Sequence, residues 1–254
     1  MKLVILGSGT SVPHEKRAAA AFWLETATGS LLLDAGSDTA HRMAEEHLDW
    51  PNLDAIWVSH FHLDHVGGLA PFLFGTRWAP QMRERTKPLQ IYGPQRLGKL
   101  LNAINQSDNY KLLDQPFPIE LIEVTADDNF EILPGLAAKT FSTPHTQESL
   151  AIRLWDERGV SLVYTSDTGY SKELGDFAKR ANALLIECSF RKNKAVATHL
   201  ELAEAMHLAA ACEPQKVILT HLYPEWDDVD IAEEARALWP GEVLAAADGL
   251  RLEF

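Results

Sequence analysis

The chain lacks any hydrophobic run long enough to span a membrane. None of its apolar stretches reaches the roughly 18–20 residues that a transmembrane helix needs. The opening sequence MKLVILGSGT has an apolar stretch too short for a signal peptide, and its Gly-Ser-Gly is typical of a strand that runs into a loop. We therefore expect a cytoplasmic protein that does not bind a membrane.

Cysteine is also scarce. Cys188 and Cys212 are the only two, and no Cys-x-x-Cys is present. This excludes a disulfide framework and a cysteine-rich zinc site. It predicts free thiols in a reducing compartment.

Basic residues are outnumbered, with 23 Lys and Arg against 36 Asp and Glu and a net charge of −13. Such a balance argues against a general electrostatic attraction to nucleic acid or to an anionic membrane. One local exception is the 77–87 stretch, which contains Arg77, Arg83, Arg85 and Lys87. We interpret it first as a solvated face; the alternative is a lid whose arginines meet an anionic substrate.

The 254 residues are enough for one large domain with a substantial core, and no linker or low-complexity stretch divides them. Short apolar strands alternate with turn residues and with helical segments. In each half, a set of strands leads to a strand that ends in polar residues, and a helix follows. A further helix is expected from about His199 to Ala211. This order predicts one domain (1–254) of two similar halves, with two sheets packed face to face, helices outside and a site along one edge.

The most informative stretch is the segment 53–69, where an apolar run ends in a dense polar cluster. His60, His62, Asp64 and His65 follow the predicted strand, and Val66-Gly67-Gly68-Leu69 is typical of the start of a helix. In α/β folds, ligands bind at this end of a strand. Four metal-competent side chains within six residues suit two neighbouring metal ions better than one. Zinc accepts imidazole and carboxylate ligands, but manganese and iron also fit, so the metal identity stays open.

Three further residues follow predicted strands in the same way: His145, Asp167 and His221. Together with the first cluster they supply five histidines and two aspartates. That set suffices for two divalent ions with one carboxylate bridging them. With a bridging hydroxide, the formal charge of such a site would be about +1, so it would attract an anion in an otherwise acidic chain.

The chain resembles the metallo-β-lactamase superfamily, whose HxHxDH motif is complete here. Within that superfamily it is most similar to ribonuclease Z and the related small phosphodiesterases. The similar segments are VILGSGTSVP at 4–13, PLQIYGP at 88–94, LIECSF at 185–190 and VILTH at 217–221. The resemblance implies an α/β fold, a four-layer αββα sandwich with two mixed sheets and outer helices.

The resemblance also implies roles for individual residues. One ion would bind His60, His62 and His145, a second would bind Asp64, His65 and His221, and Asp167 would bridge them. Glu187 would orient His199, which would donate a proton to the leaving oxygen. The family usually has Ser or Thr after this histidine, whereas here Leu200 follows. Asp64 is expected to accept or steer the proton of the attacking water, which the ions activate at neutral pH.

One departure from ribonuclease Z concerns the substrate. Its long tRNA-gripping arm lies between the positions of His145 and Asp167, and here that interval holds only one predicted hairpin. With the acidic charge, this favours a small anionic phosphodiester, cyclic or nucleotide-derived, over nucleic acid. The alternatives are a lactone or thioester hydrolase, a tRNA 3′ endonuclease and a non-enzymatic metal-dependent binding protein. The family likeness suggests a homodimer, although no heptad or long apolar edge indicates one.

Overall fold

The computed structural model describes all residues 1–254, and its first half forms one mixed sheet with helices on one side. Strands and helices follow each other along the chain as β1 (Lys2–Gly7), β2 (Ala21–Glu25), β3 (Ser30–Leu33), α1 (Thr39–Glu45), β4 (Ala55–Trp57), α2 (Leu63–Val66), α3 (Leu69–Thr76), β5 (Leu89–Pro94), α4 (Leu97–Ser107) and β6 (Ile119–Val124).

The second half supplies the strands of the second sheet and the helices that cover it. Its elements are β7 (Asn129–Leu133), β8 (Leu136–Ser142), β9 (Leu150–Asp156), β10 (Ser161–Tyr164), α5 (Lys172–Phe177), β11 (Ala183–Glu187), α6 (Leu202–Cys212), β12 (Lys216–Thr220), α7 (Ile231–Leu238), β13 (Glu242–Ala245) and β14 (Arg251–Glu253). No helix has the length and apolar character required to cross a bilayer.

Each sheet has seven strands, in the orders β14-β1-β2-β3-β4-β5-β6 and β13-β12-β11-β10-β9-β8-β7. The last strand of the chain returns to the first sheet and pairs antiparallel with β1. Strands β3 to β6 run parallel, and so do β10 to β13. The carboxyl ends of these parallel strands therefore collect along an edge of each sheet, which is where side chains for a site can converge.

Alternating side chains of the strands build the layers, as β4 illustrates. Ala55 and Trp57 face the core between the two sheets, while Ile56 and Val58 face the core between the first sheet and its helices. A third core lies between the second sheet and α5, α6 and α7. Three apolar cores separating four layers are the αββα sandwich that the sequence predicted, because each sheet is covered on both faces.

Two predicted helix starts were wrong. The helix expected from residue 66 begins at Leu63, since the carbonyl of His62 accepts the amides of His65 and Val66 at 3.0 Å each. The helix expected from His199 begins at Leu202, where Glu201 and Glu204 form a capping box. Asp64 and His65 therefore lie on a helical turn, and His199 lies on the loop before a helix.

The solvated-face interpretation of the basic stretch is wrong for Arg85. Its guanidinium is largely buried and donates to the carbonyls of Pro51 at 2.6 Å, Leu53 at 2.8 Å and Pro88 at 2.9 Å. Lys87 is ion-paired with Asp54, and Arg77 lies 3.3 Å from Asp114. These contacts tie loops to one another, so Arg85 is a structural side chain and not part of a lid.

Replacing Arg85 by Lys should lower the free energy of unfolding by about 2–4 kcal/mol. A single ammonium cannot serve carbonyls that a planar guanidinium bridges, and buried acceptors would lose their donors. Urea unfolding followed by circular dichroism measures this. The exposed Arg83→Lys change is the control, and equal midpoints for the two variants would contradict the interpretation.

Candidate metal centre

The carboxyl ends of strands from both sheets meet at one place and bring polar side chains together. His60 and His62 follow β4, Asp167 follows β10 and His221 follows β12, while Asp64 and His65 lie on the first turn of α2. His145 follows β8, which runs parallel to β10 because both pair antiparallel with β9. All seven sequence-predicted metal ligands lie in this one cluster.

Asp167 occupies the centre of the cluster. Its Oδ1 lies 3.2 Å from Nε2 of His65 and 3.3 Å from Nε2 of His221. Its Oδ2 lies 3.5 Å from Nε2 of His145 and 3.8 Å from Nε2 of His60. The two oxygens of one carboxylate thus face two different groups of imidazoles.

The remaining ligand candidates complete these two groups. Nδ1 of the exposed His62 lies 2.9 Å from Nε2 of His145. Oδ2 of Asp64 lies 3.4 Å from Nε2 of His221 and 3.9 Å from Nε2 of His65. The donor atoms form one set from His60, His62, His145 and Asp167 and another from Asp64, His65 and His221, each within 4.8 Å.

Four of the histidines have their other ring nitrogen occupied. The Nδ1–H groups donate to Ser59 Oγ from His60 at 3.0 Å, to Asp34 Oδ2 from His65 at 2.7 Å, to Thr198 O from His145 at 2.9 Å and to Ser189 Oγ from His221 at 2.9 Å. This leaves the Nε2 lone pairs directed at the centre. Nε2 of His60 and of His65 are buried without a hydrogen-bond partner, which fits atoms that coordinate a cation.

Sequence reasoning missed Asp34. This carboxylate is fully buried at the end of β3 and accepts from the Tyr164 hydroxyl at 2.7 Å, from the Ser59 amide at 2.7 Å and from His65. Its strand-end position in Asp34-Ala35-Gly36 was the available signal. Gly36 and Gly68 allow the chain after β3 to lie against the start of α3, because a Cβ on Gly68 would lie 2.0 Å from the carbonyl oxygen of Gly36.

Sequence reasoning also missed the serine side chains that form hydrogen bonds around the ligand candidates. The Ser166 hydroxyl donates to Ser59 Oγ at 2.6 Å, and Ser59 Oγ donates in turn to Asp34 at 2.7 Å. The Ser189 hydroxyl donates to Glu187 Oε2 at 2.6 Å, which leaves its lone pair for His221. Serine is common at strand ends, so no sequence signal marks these residues.

Glu187 and His199 form a pair at the margin of the cluster. Nδ1–H of His199 donates to Oε1 of Glu187 at 3.0 Å and lies 4.0 Å from Oδ2 of Asp167. Glu187 also accepts the amides of Thr168 at 2.6 Å and Leu200 at 3.1 Å. The resemblance led us to expect Ser or Thr at position 200. Leu200 is fully buried there, and its backbone amide, not its side chain, donates to Glu187.

Burial and charge fix the ionisation of the cluster. Burial lowers the pKa of His60, and it also lowers that of His145. Burial opposes the charged forms of Asp64 and Asp167, but neighbouring imidazoles outweigh it and lower both pKa values. At His199, burial is outweighed by Glu187, so its pKa is raised. At His65, burial is outweighed by Asp167 and Asp34, so its pKa is raised. Neutral imidazoles and ionised carboxylates are the forms that bind divalent metals, so His65 must give up its proton when it binds one.

A family model described as "Anti-Pycsar protein Apyc1" matches residues 1–239. The chain belongs to this Apyc1 family. The chain is also similar to ribonuclease Z of Saccharolobus solfataricus, with 25% identity over 96% of each chain.

Two solved structures show the fold that this Apyc1-family chain shares. The metallo-β-lactamase fold protein YhfI of Bacillus subtilis superposes with a TM-score of 0.83 at 24% identity, over 99% of each chain. A diphosphatase of the PhnP family superposes with a TM-score of 0.77 at 20% identity, over 100% of this chain and 97% of the other. The resemblance to metallo-β-lactamase-fold hydrolases of the ribonuclease Z type, the fold class and the metallo-hydrolase activity are confirmed.

Changing Asp34 to Asn should weaken metal binding about 10- to 100-fold, because His65 would lose the carboxylate that orients it. Asn tolerates the left-handed backbone found at this residue, where φ is 57°. Competition with a chromophoric zinc chelator measures the affinity. The exposed Asp176→Asn serves as the control, and an Asp34→Asn affinity equal to that of the control would refute a supporting role.

Proposed function

We propose that this chain is a phosphodiesterase that acts on a small or cyclic phosphodiester with two divalent metal ions, expected to be zinc. His60, His62 and His145 would hold one ion, Asp64, His65 and His221 the other, and Asp167 would bridge them. Support comes from the way the two Asp167 oxygens face the two donor groups at 3.2–3.8 Å. Bound ions would supply a water activated at neutral pH and positive charge opposite the phosphate oxygens.

The observation that carries phosphoester chemistry is the Glu187–His199 pair beside this cluster. An alkoxide leaving from phosphorus needs a proton, and a positioned acid is typically worth about 10²–10⁴-fold in rate. Glu187 is buried and holds His199 through Nδ1, which leaves Nε2 to deliver that proton. Asp64 would accept the proton of the attacking water.

A small substrate is supported over RNA by the chain between His145 and Asp167. That interval contains only the β9–β10 hairpin, whose strands are joined by a short turn. The net charge of −13 also opposes a long polyanion. The names of two similar proteins, a ribonuclease and a diphosphatase, are consistent with phosphoryl chemistry. Cytoplasmic location and the homodimer suggested by the resemblance stay predictions.

A substrate panel after chelation tests the proposal. Cyclic nucleotides and other small phosphodiesters should be hydrolysed once zinc or manganese is restored, and metal analysis should give two ions per chain. Lactones and pre-tRNA belong in the same panel. Faster turnover of either than of every small phosphodiester would overturn the assignment.

Changing His199 to Ala should lower kcat about 10²- to 10⁴-fold for a phosphodiester with an alkoxide leaving group. Loss on a p-nitrophenyl ester should be far smaller, since p-nitrophenolate leaves without a proton. Steady-state kinetics on both substrates measure the difference. His41→Ala, an exposed histidine on α1, is the control. Equal losses on both esters would rule out general-acid catalysis by His199.

A further inference from the structure

The loop between β11 and α6, residues 188–201, contains a lysine whose side chain turns back onto the loop itself. The ammonium group of Lys194 donates to the carbonyl of His199 at 3.0 Å and to Oε2 of Glu204 at 2.8 Å, and it lies 3.5 Å from the carbonyl of Ala197. The side chain is only 19% exposed. A lysine without a role is usually solvated, whereas this one fixes the shape of the loop that carries the proposed proton donor.

The peptide group between His199 and Leu200 is held from both sides. Its carbonyl accepts from Lys194, and its amide donates to Oε2 of Glu187 at 3.1 Å. The carbonyl and the amide of a trans peptide point in opposite directions, so an ammonium and a carboxylate hold the two ends of one plane. Both hydrogen bonds have a charged partner and are therefore strong. The plane cannot rotate without breaking one of them.

The preceding peptide group is held by one of the ligand candidates. The carbonyl of Thr198 accepts the Nδ1–H of His145 at 2.9 Å. The side chain of His199 itself donates to Oε1 of Glu187 at 3.0 Å. Three side chains thus anchor His199, and Lys194 is the one among them that belongs neither to the metal cluster nor to the Glu187–His199 pair.

The ends of the loop are closed independently of the ammonium group. Phe190 and Glu201 pair as a β-bridge across the base of the loop. The backbone amide of Lys194 donates to Oε2 of Glu201 at 3.2 Å, and the amide of Glu201 donates to Oε2 of Glu204 at 3.1 Å. Removing the ammonium alone therefore frees the interior of the loop while its base and the start of α6 stay in place.

We infer that Lys194 is a positioning residue that holds His199 where it can protonate the leaving oxygen. Lys194 acts through the peptide group between His199 and Leu200. This inference rests on the proposed phosphodiesterase function. A catalytic group misplaced by about 1 Å can cost about 10²-fold in rate, and the loss is bounded by that of removing the acid altogether.

Lys194→Met keeps most of the apolar stem and removes the ammonium. It should lower kcat about 10- to 100-fold for a phosphodiester with an alkoxide leaving group and change KM less than twofold. For a p-nitrophenyl ester, kcat should change less than twofold, because p-nitrophenolate leaves without a proton. Steady-state kinetics on the metal-loaded protein measure both. Lys192→Met, an exposed lysine of the same loop, is the control and should change neither rate.

A double-mutant cycle tests whether the effect passes through His199. In a His199→Ala background, Lys194→Met should cause no further loss on the alkoxide ester, because a positioning residue has nothing left to position. A lysine that merely stabilised the fold would lower the rate in either background.

Chemical rescue tests whether the ammonium is the active feature. Lys194→Cys alkylated with 2-bromoethylamine regains an ammonium on a stem of similar length, and most of the lost kcat should return. Cys188 and Cys212 are fully buried, so the folded chain shields them from the reagent.

Hydrogen exchange at the Leu200 amide supplies a measurement that needs no substrate. Exchange should be faster in Lys194→Met than in the wild type, since the peptide plane has lost one of its two anchors. Lys192→Met should leave it unchanged.

Equal losses on both esters, a further loss in the His199→Ala background, unchanged exchange at Leu200, or fewer metal ions per chain in Lys194→Met would overturn the role of Lys194. The phosphodiesterase function would stand in each of these cases. If the wild type hydrolysed no phosphodiester with restored metal, the proposed function itself would fall, and the role of Lys194 in catalysis would fall with it.

Discussion

The site depends on buried carboxylates that lie among imidazoles, and the Nδ1 atoms of these imidazoles are already hydrogen-bonded. Asp167 and Asp34 are almost completely buried, and the hydrogen bonds at Nδ1 direct His60, His65 and His221 toward one centre. Buried negative charge is costly unless it is paired or coordinates a metal. The cluster is therefore suited to hold a cation, and the fold must bring the ligand candidates together before chemistry is possible.

The two-sheet architecture meets that requirement by using equivalent positions in both halves. Each half ends its parallel strands at the same edge, so residues as far apart in sequence as His60 and His221 become neighbours. The carbonyl and amide of Ala35, bonded to Gly68 and His65 at 2.8 and 2.7 Å, lock α2 and α3 against the end of β3. Packing between elements thus sets the ligand geometry, and no single loop defines it.

Much of this could be predicted from sequence because the ligands have a local signature. A cluster such as His60-x-His62-x-Asp64-His65 after an apolar strand indicates a metal site whatever the rest of the chain does. Asp34 and Ser189 could not be recognised, since their roles arise only when distant strand ends meet. Arg85 was misjudged for the same reason, as its carbonyl partners include Pro51 and Leu53 on another loop. The two helices whose starts were predicted wrongly both begin beside site residues. There, the contacts that the side chains make compete with the helical propensity of the backbone.

Three residues at strand ends have left-handed backbone: Asp34, Ser166 and His221, with φ of 57°, 54° and 58°. Each such residue costs about 1–3 kcal/mol when it is not glycine. Glycine would relieve the cost but would remove a carboxylate, a hydroxyl or an imidazole from the site. The folded chain is therefore less stable than its cores alone would allow. Consensus or glycine substitutions at these positions would raise its stability at the expense of catalysis.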